Sequence, residues 1–322
     1  MAKMIWIPDG PLTAYEADSV RVNELVMDEQ LSEAPLEEMG ISEARRRYRE
    51  GGGGFPAPTH VAQAEQRTVE TRRGPAVVRI FEPTVSNGAY LFIHGGGWVS
   101  GAPDLQDTRM WRLACDAEVT VVCASYGLAP EHPYPQAVDD CESIALWLLE
   151  TGRSELNVDR LVIGGESSGA HLATLALLRL RDHHDAAREF CGANLLYGLY
   201  DLSMSPSLRL RPDGHVLPLA TVQFMIDNFL VDYVGDRADP AVSPIYADLS
   251  DMPDALFTVG DLDPLLDDTL IMGARWMAAD NSTSVHVYPS SIHAFDAFPT
   301  PMAAIATDTI GRWIAARVKG PV

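Results

Sequence analysis

A regular alternation of short apolar runs with longer amphipathic segments, beginning near residue 66, constrains the fold most. The apolar runs are rich in β-branched residues and lie at 76–81, 89–93, 119–123, 160–164, 193–197, 255–259 and 284–288. Helix-like segments lie near 104–117, 137–150, 169–182, 264–279 and 302–318. This alternation predicts an α/β fold with a mostly parallel central sheet and helices on both faces. The turn signal Asn87-Gly88 gives the first two runs hairpin-like spacing.

Two segments fall outside this alternation. Residues 1–60 are rich in charge and hold a helix-like stretch at 42–50, which four glycines and two prolines follow. Glycine frees the backbone and proline stops a helix, so residues 51–58 are expected to form a loop or a hinge. The second segment, 201–250, carries five prolines around one helix-like stretch at 219–231. Insertions of this length usually serve function or form lids.

Composition excludes several classes of partner. The 322 residues carry 45 acidic and 24 basic side chains, a formal charge of -21, which disfavours binding to nucleic acid or to anionic membrane surfaces. No apolar run approaches the roughly 18 residues that span a bilayer. The first residues show no signal-peptide pattern, and the four cysteines are widely spaced, so we expect reduced thiols and a cytoplasmic location.

The run at 160–164 leads into Gly165-Glu-Ser167-Ser-Gly169 and then into a clear helical segment. A glycine two residues to either side of a serine permits a sharp strand-to-helix turn that exposes the hydroxyl, the pattern known as a nucleophile elbow. The helix that follows directs free N–H groups at the same place. We therefore predict that Ser167 is a nucleophile and that the N–H of Ser168 faces a developing oxyanion.

A glycine triplet follows an earlier strand, in His94-Gly-Gly-Gly-Trp98. Three glycines in succession allow the backbone to approach a substrate carbonyl and to aim N–H groups at it, as the oxyanion loops of lipases and esterases do. We expect His94 to organise this loop rather than to act as a base.

Ser167 needs a base, and the base needs an acid that orients it. His293 follows the last predicted strand, whereas His286 alternates with valines inside that strand, so we favour His293. For the acid, Asp263 lies at a strand-to-helix turn and Asp261 is the alternative. Two further carboxylates, Asp267 and Asp268, are expected on the first turns of the next helix.

Taken together, these motifs resemble the bacterial hormone-sensitive-lipase-like (family IV) carboxylesterases of the α/β-hydrolase superfamily. The matching residues are His94-Gly-Gly-Gly-Trp98, Tyr126-Gly-Leu-Ala-Pro-Glu-His-Pro-Tyr-Pro135, Gly165-Glu-Ser-Ser-Gly169, Asp263-Pro-Leu-Leu-Asp267 and His293-Ala-Phe295. The chain departs from the family at Glu166, where Asp or Thr is usual, and at Ser168, where Ala is usual.

The resemblance implies an α/β-hydrolase fold that hydrolyses short- to medium-chain acyl esters. It implies a triad of Ser167, Asp263 and His293, and oxyanion donors from the N–H groups of Gly96, Gly97 and Ser168. It also implies a helical cap, made of residues 1–60 and an insertion at about 201–240 within the catalytic domain 61–322. Candidates for the substrate pocket are Trp98, Tyr200, Phe224 and Phe229. A homodimer is a candidate assembly.

Other functions remain open at this point. A non-catalytic ligand-binding homologue would share the fold but typically lacks a triad member, and an amidase, peptidase or lactonase would use the same triad. We expect no cofactor, because the chain shows no phosphate-binding glycine motif and no cysteine–histidine spacing typical of a metal site. His183 and His184 lie between Asp182 and Asp185, where a solvated helix end is favoured over a metal site.

Overall fold

The computed structural model describes residues 4–6, 11–52, 55, 57–71, 74–214 and 216–320. Part of the loop predicted after residue 50, namely residues 53, 54 and 56, lies outside these ranges. Across them run nine strands: β1 Met4–Trp6, β2 Ala64–Thr71, β3 Gly74–Phe81, β4 Ala89–Ile93, β5 Thr120–Ala124, β6 Leu161–Glu166, β7 Phe190–Leu196, β8 Ala255–Gly260 and β9 Thr283–Tyr288.

The same ranges hold eleven α-helices. They are α1 Glu16–Ser32, α2 Leu36–Met39, α3 Ile41–Glu50, α4 Asp107–Ala117, α5 Gln136–Trp147, α6 Arg153–Glu155, α7 Ser168–His184, α8 Pro206–Leu210, α9 Leu219–Phe229, α10 Leu266–Ala278 and α11 Pro301–Lys319. A π-helical turn, Leu148–Gly152, joins α5 to α6. Within the described ranges, no helix is long and apolar enough to cross a membrane.

The strands form one sheet in the order β1-β9-β8-β7-β6-β4-β5-β3-β2. The pairs β2–β3 and β3–β5 are antiparallel, and the other neighbours are parallel. Every residue of β4, β5, β6 and β8 is buried, which explains why these strands are apolar on both faces. The predicted α/β-hydrolase architecture, a mostly parallel sheet, is therefore confirmed.

The hairpin expected between the runs at 76–81 and 89–93 is wrong. Strand β3 pairs with β2 on one side and with β5 on the other, and β5 separates it from β4. The sequence Asn87-Gly88 instead ends a crossover, where Asn87 donates its N–H to Glu118 O. The partner of β3 was not anticipated because β2, Ala-Glu-Gln-Arg-Thr-Val-Glu-Thr, is polar and lies at the edge of the sheet.

Helices cover both faces of the sheet. Buried side chains of α5, α7 and α10 belong to the larger hydrophobic cluster, on one face. Buried side chains of α4 and α11 belong to a second cluster, on the other face. The buried apolar surface on both sides fixes the sheet, so the loops at the carboxyl ends of its parallel strands are held on a rigid support.

The two segments expected to form a cap contact each other. Thr221 of α9 donates its hydroxyl to Glu37 of α2 at 3.1 Å, and the N–H of Val216 donates to Gln30 of α1 at 3.0 Å. The inserted segment also holds a second helix, α8, beside the expected α9. These contacts support the proposal that both segments form one cap.

Candidate active site

Ser167 occupies the sharp turn between β6 and α7. Its backbone angles, φ 52° and ψ −123°, lie in a strained region for a residue with a side chain. A Cβ atom on Gly165 would come within 2.4 Å of Ile93 O, and one on Gly169 within 2.1 Å of the same oxygen. Both glycines are therefore required because the turn packs directly against the end of β4.

Three predicted side chains meet at this turn. His293 Nε2 lies 3.1 Å from Ser167 Oγ, and His293 Nδ1 lies 2.8 Å from Asp263 Oδ2. The other Asp263 oxygen accepts the N–H of Leu265 at 2.8 Å, which fixes the carboxylate. Asp263 is fully buried and His293 is 4% exposed, so water is largely excluded from this chain of hydrogen bonds.

The alternative residues lie elsewhere. Asp261 accepts the N–H of Ser291 at 3.3 Å, and Asp267 accepts the N–H of Ser207 at 2.8 Å. Asp268 accepts two backbone N–H groups, at 2.7 and 2.8 Å, from the segment after β7. His286 is part of β9, where burial lowers its pKa to about 4.

The glycine triplet forms a tight loop after β4. Gly96, Gly97 and Trp98 have positive φ angles of 117°, 60° and 62°. Among the backbone hydrogen bonds of turns and loops in the described residues, none is donated by the N–H groups of Gly96 or Gly97. The N–H of Ser168, at the start of α7, has no acceptor within its own helix. Three N–H groups are thus left for a ligand.

Trp98 is anchored by a residue that sequence reasoning did not single out. Its indole N–H donates to His171 Nδ1 at 3.2 Å, and His171 Nε2 donates to Val242 O at 2.8 Å. Burial lowers the pKa of His171 to about 4, which keeps the ring neutral and able to accept this bond. Phe229 stacks on Trp98 with ring centroids 4.7 Å apart. The histidine in Ser-Gly-Ala-His, one helical turn after the nucleophile, was the available signal.

A cavity of about 20 Å³ lies beside Ser167, room for roughly one water molecule. Its lining is mostly apolar and comprises Gly97, Trp98, Ser167, Ser168, Leu199, Leu217, Val222, Met225 and Leu265. Of the four pocket candidates, Trp98 is in this lining. Phe229 lies behind Trp98, Tyr200 is buried with its ring 6.3 Å from Phe257, and Phe224 is half-buried on α9.

A buried polar network surrounds the residue before the nucleophile. Glu166 accepts hydrogen bonds from Arg109 at 2.6 Å and from Gln106 at 3.1 Å. The same arginine donates to Asp296 at 2.8 Å, and the hydroxyl of Tyr197 donates to Asp296 at 2.6 Å. Burial raises the pKa of Glu166, but the charge of Arg109, its hydrogen bond and the hydrogen bond from the Gly95 backbone together hold that pKa below its ordinary value.

His94 makes its contacts within the glycine loop, which we expected it to organise. Its Nδ1 lies 2.8 Å from Gly95 O, and its ring stacks on Tyr126 with centroids 4.3 Å apart. The Tyr126 hydroxyl donates to His94 O at 3.0 Å. Burial lowers the pKa of His94 to about 4, so the ring is neutral near pH 7.

His183 and His184 approach a buried carboxylate from α5 rather than the aspartates that flank them. His184 Nε2 lies 3.0 Å and His183 Nδ1 lies 3.7 Å from Glu142 Oε1. Arg179 lies 3.3 Å from the other oxygen of Glu142 and 2.6 Å from Asp139. Arg179, His183 and His184 of α7 thus form one cluster of polar side chains with Asp139 and Glu142 of α5.

A wider surface groove of about 480 Å³ lies away from the triad, beside β3. Its charged side chains already have partners, since Arg79 pairs with Asp107 and Asp104 pairs with Arg49. We therefore place the active site at the smaller cavity beside Ser167.

A family model described as alpha/beta hydrolase fold matches residues 90–297, which include the glycine loop, the elbow and His293. The chain is 30% identical over 259 residues to an acetyl esterase of Salmonella schwarzengrund, covering 79% of this chain and 80% of that protein. The chain belongs to the alpha/beta hydrolase family that this model describes. As the motifs predicted, this α/β hydrolase is one of the hormone-sensitive-lipase-like carboxylesterases.

Two further comparisons agree. This α/β hydrolase is 29% identical over 276 residues to an ethyl acetate hydrolase of Pseudomonas putida, covering 81% of this chain and 85% of that one. A crystal structure of a hormone-sensitive lipase from a metagenome library matches with a TM-score of 0.80 at 27% identity, covering 94% of this chain and 98% of the other.

Proposed function

We propose that this protein hydrolyses esters of short acyl chains through an acyl-enzyme intermediate on Ser167. Its class, carboxylic ester hydrolase, follows from the family. The observation that carries the proposed mechanism is the continuous hydrogen-bond chain from Ser167 through His293 to Asp263, beneath three available N–H groups. This arrangement suits acyl transfer, which needs an activated hydroxyl and donors for the oxyanion.

In the acylation step, Ser167 Oγ attacks the ester carbonyl carbon while His293 Nε2 accepts its proton. Asp263 accepts the hydrogen bond from His293 Nδ1, which holds the imidazole in the tautomer whose Nε2 lone pair faces the serine. The buried carboxylate also stabilises the imidazolium that forms. His293 then donates the proton to the alkoxy oxygen, and the alcohol leaves.

The carbonyl oxygen becomes an oxyanion during the attack. The N–H groups of Gly96, Gly97 and Ser168 are the proposed donors, and removing one oxyanion-hole donor from a serine protease lowers kcat by about 10²- to 10³-fold. Trp98, held by His171 and Phe229, fixes the loop that carries two of these donors. A water molecule then attacks the carbonyl carbon of the acyl-enzyme while His293 accepts its proton. His293 returns this proton to Ser167 as the carboxylic acid leaves.

The size of the cavity supports a short acyl group. A space of about 20 Å³ between Gly97 and Met225 leaves little room beyond an acetyl methyl unless side chains move. The names of two relatives, an ethyl acetate hydrolase and an acetyl esterase, refer to the same two-carbon acyl group. Acetate esters are therefore the substrates that we propose to test first.

The test is hydrolysis of p-nitrophenyl acetate, butyrate and octanoate by the wild-type chain and by Ser167→Ala. We expect turnover that declines from acetate to octanoate, and a loss of about 10⁴- to 10⁶-fold in kcat for Ser167→Ala. Faster hydrolysis of an acyl anilide or a lactone than of the matched ester would indicate an amidase or a lactonase instead. Absent turnover, with a small ligand still bound by Ser167→Ala, would indicate a receptor.

A further inference from the structure

The nucleophile and the base are carried by segments far apart in sequence, and one arginine from a third segment joins them. Glu166 immediately precedes Ser167, and Asp296 lies three residues after His293. Arg109 of α4 bridges them, with one nitrogen 2.6 Å from Glu166 Oε2 and another 2.8 Å from Asp296 Oδ2. Building on the proposed function, we propose that Arg109 is a positioning residue that sets the distance between Ser167 and His293.

The segment that carries His293 needs such a support because it belongs to neither a strand nor an α-helix. It runs between β9 and α11 with positive φ angles at Ser290 and Ala294, and its regular structure is a single 3-10 turn, Phe295–Ala297. Asp296 lies in that turn, and its side chain is 3% exposed. A tether at Asp296 therefore acts on the imidazole through a short piece of backbone.

The chemistry of the bridge suits arginine and not lysine. A guanidinium presents several N–H donors in a fixed fork, so it can hold two carboxylates at once, whereas an ammonium acts as a point charge on a shorter reach. Arg109 is 29% exposed and its two partners are nearly buried, so water cannot easily replace it between them. The two carboxylates would also repel each other without this charge.

Tyr197 closes the network next to the base. Its hydroxyl lies 2.6 Å from Asp296 Oδ1 and 3.2 Å from Glu166 Oε2. Its ring contacts the imidazole of His293 edge-on, with centroids 4.8 Å apart. The position of His293 is therefore set on one side by Asp263 and on another by the group of residues that Arg109 holds.

The chain offers a matched control for a test of Arg109. Arg179 also bridges two carboxylates, Asp139 and Glu142, and its side chain is 22% exposed against 29% for Arg109. It lies twelve residues after Ser167, about 18 Å along α7 at the usual rise per residue. Arg109→Lys thus removes such a bridge near the triad, and Arg179→Lys removes one far from it.

The experiment measures kcat and KM for p-nitrophenyl acetate, the melting temperature, and the rate at which diethyl p-nitrophenyl phosphate labels Ser167. For Arg109→Lys we expect kcat to fall at least tenfold with KM changed less than threefold, since misplacing a reacting group by about 1 Å can reduce rates by about 100-fold. The labelling rate should fall in parallel. For Arg179→Lys we expect a lower melting temperature, with kcat and labelling within twofold of wild type.

The proposal would be overturned if Arg109→Lys and Arg179→Lys lowered the melting temperature equally and had the same kcat, KM and labelling rate. If Arg109→Lys fails to fold, Asp296→Asn serves in its place, because it keeps the size of the side chain and an acceptor for Tyr197 but removes the charge that Arg109 pairs with. Asp296→Asn should lower kcat in the same way, and wild-type kinetics would again overturn the proposal. Labelling of Ser167 does not depend on ester turnover, so an inactive wild-type chain would contradict the proposed function and leave this comparison interpretable.

Discussion

The sulfur of Met225 lies directly over Gly97, so that a Cβ atom on that glycine would come within 2.1 Å of it. Met225 belongs to the inserted helix α9, whereas Gly97 belongs to the loop that carries the proposed oxyanion donors. Leu217, Val222 and Met225 of the inserted segment line the cavity beside Ser167, and Met225 is the one that lies against Gly97. The methionine side chain is unbranched and flexible, so a small substrate can push it aside.

We predict that Met225→Ala broadens the range of acyl chains. Shortening the side chain enlarges the cavity beside Ser167, and each methylene accommodated in an apolar pocket changes selectivity by about 10- to 200-fold. The ratio of kcat/KM for octanoate over acetate should therefore rise at least tenfold. Met277→Ala, which shortens a half-buried methionine of α10 outside the cavity, should leave this ratio unchanged. An unaltered ratio for Met225→Ala would show that another residue limits chain length.

A second prediction concerns Asp268, which is fully buried. Burial first, and then the nearby Asp201 charge, raise the pKa of Asp268 to about 7, against hydrogen bonds from two backbone N–H groups that lower it. Between about pH 4 and pH 7 the unfolded chain loses this proton and the folded chain keeps it, so the free energy of unfolding falls as pH rises.

Asp268→Asn should remove that loss while keeping an acceptor for the N–H groups of Tyr200 and Asp201. Relative to wild type, the variant should gain about 2–4 kcal/mol between pH 5 and pH 8, measured by urea unfolding at several pH values. Asp267→Asn changes the neighbouring half-buried carboxylate in the same way and serves as the control. A difference between Asp268→Asn and wild type that stays constant with pH would contradict this account.

A third prediction concerns His171, whose pKa burial lowers to about 4. The neutral folded form contributes stability above the unfolded pKa of about 6.5, and this contribution is lost as pH falls toward 4. His171→Ala leaves the indole N–H of Trp98 without its acceptor, so it should lower the free energy of unfolding by about 2–4 kcal/mol at pH 8. The difference in the free energy of unfolding between His171→Ala and wild type should be smaller at pH 5. Urea denaturation at several pH values should therefore show a shallower pH dependence for the variant.

The fourth prediction contrasts two glycines inside helices. In α11, a Cβ atom on Gly311 would meet a single neighbour, Leu113 Cδ1, at an ordinary 3.6 Å. Gly311→Ala should raise the free energy of unfolding by about 0.5–1 kcal/mol, because alanine loses less backbone entropy on folding. Gly169→Ala instead places a methyl group 2.1 Å from Ile93 O and should abolish activity or folding. Thermal unfolding with an activity assay compares the two, and an active, stable Gly169→Ala would refute the close packing at the elbow.

The sequence predicted those features whose physical cause is local. Gly165 and Gly169 flank a serine between a strand and a helix, and the steric demands of that turn are contained in five residues. His293 and Asp263 could be proposed because each follows a recognisable strand and the carboxyl ends of parallel strands meet at one edge of the sheet. Their contact distances, by contrast, required the structure.

Features that depend on distant pairing were missed. Strand β2 is polar and its assignment depends on its partner, so the sequence indicated a hairpin from β3 to β4 instead. Arg109 joins residues that lie 57 and 187 positions away in the chain, and no spacing rule connects them. The place of Met225 over Gly97 likewise depends on how the inserted helix returns to the sheet.

The first long helix, α1, touches the segment that carries the imidazole. Asn23 donates its amide to Ser290 O at 3.0 Å, and Val26 is 3% exposed in a cluster with Ile292 and Phe298. An expression fragment trimmed to start at β2 would therefore remove one wall from that segment and expose its apolar side. Shortened versions designed for crystallisation or immobilisation should keep this helix.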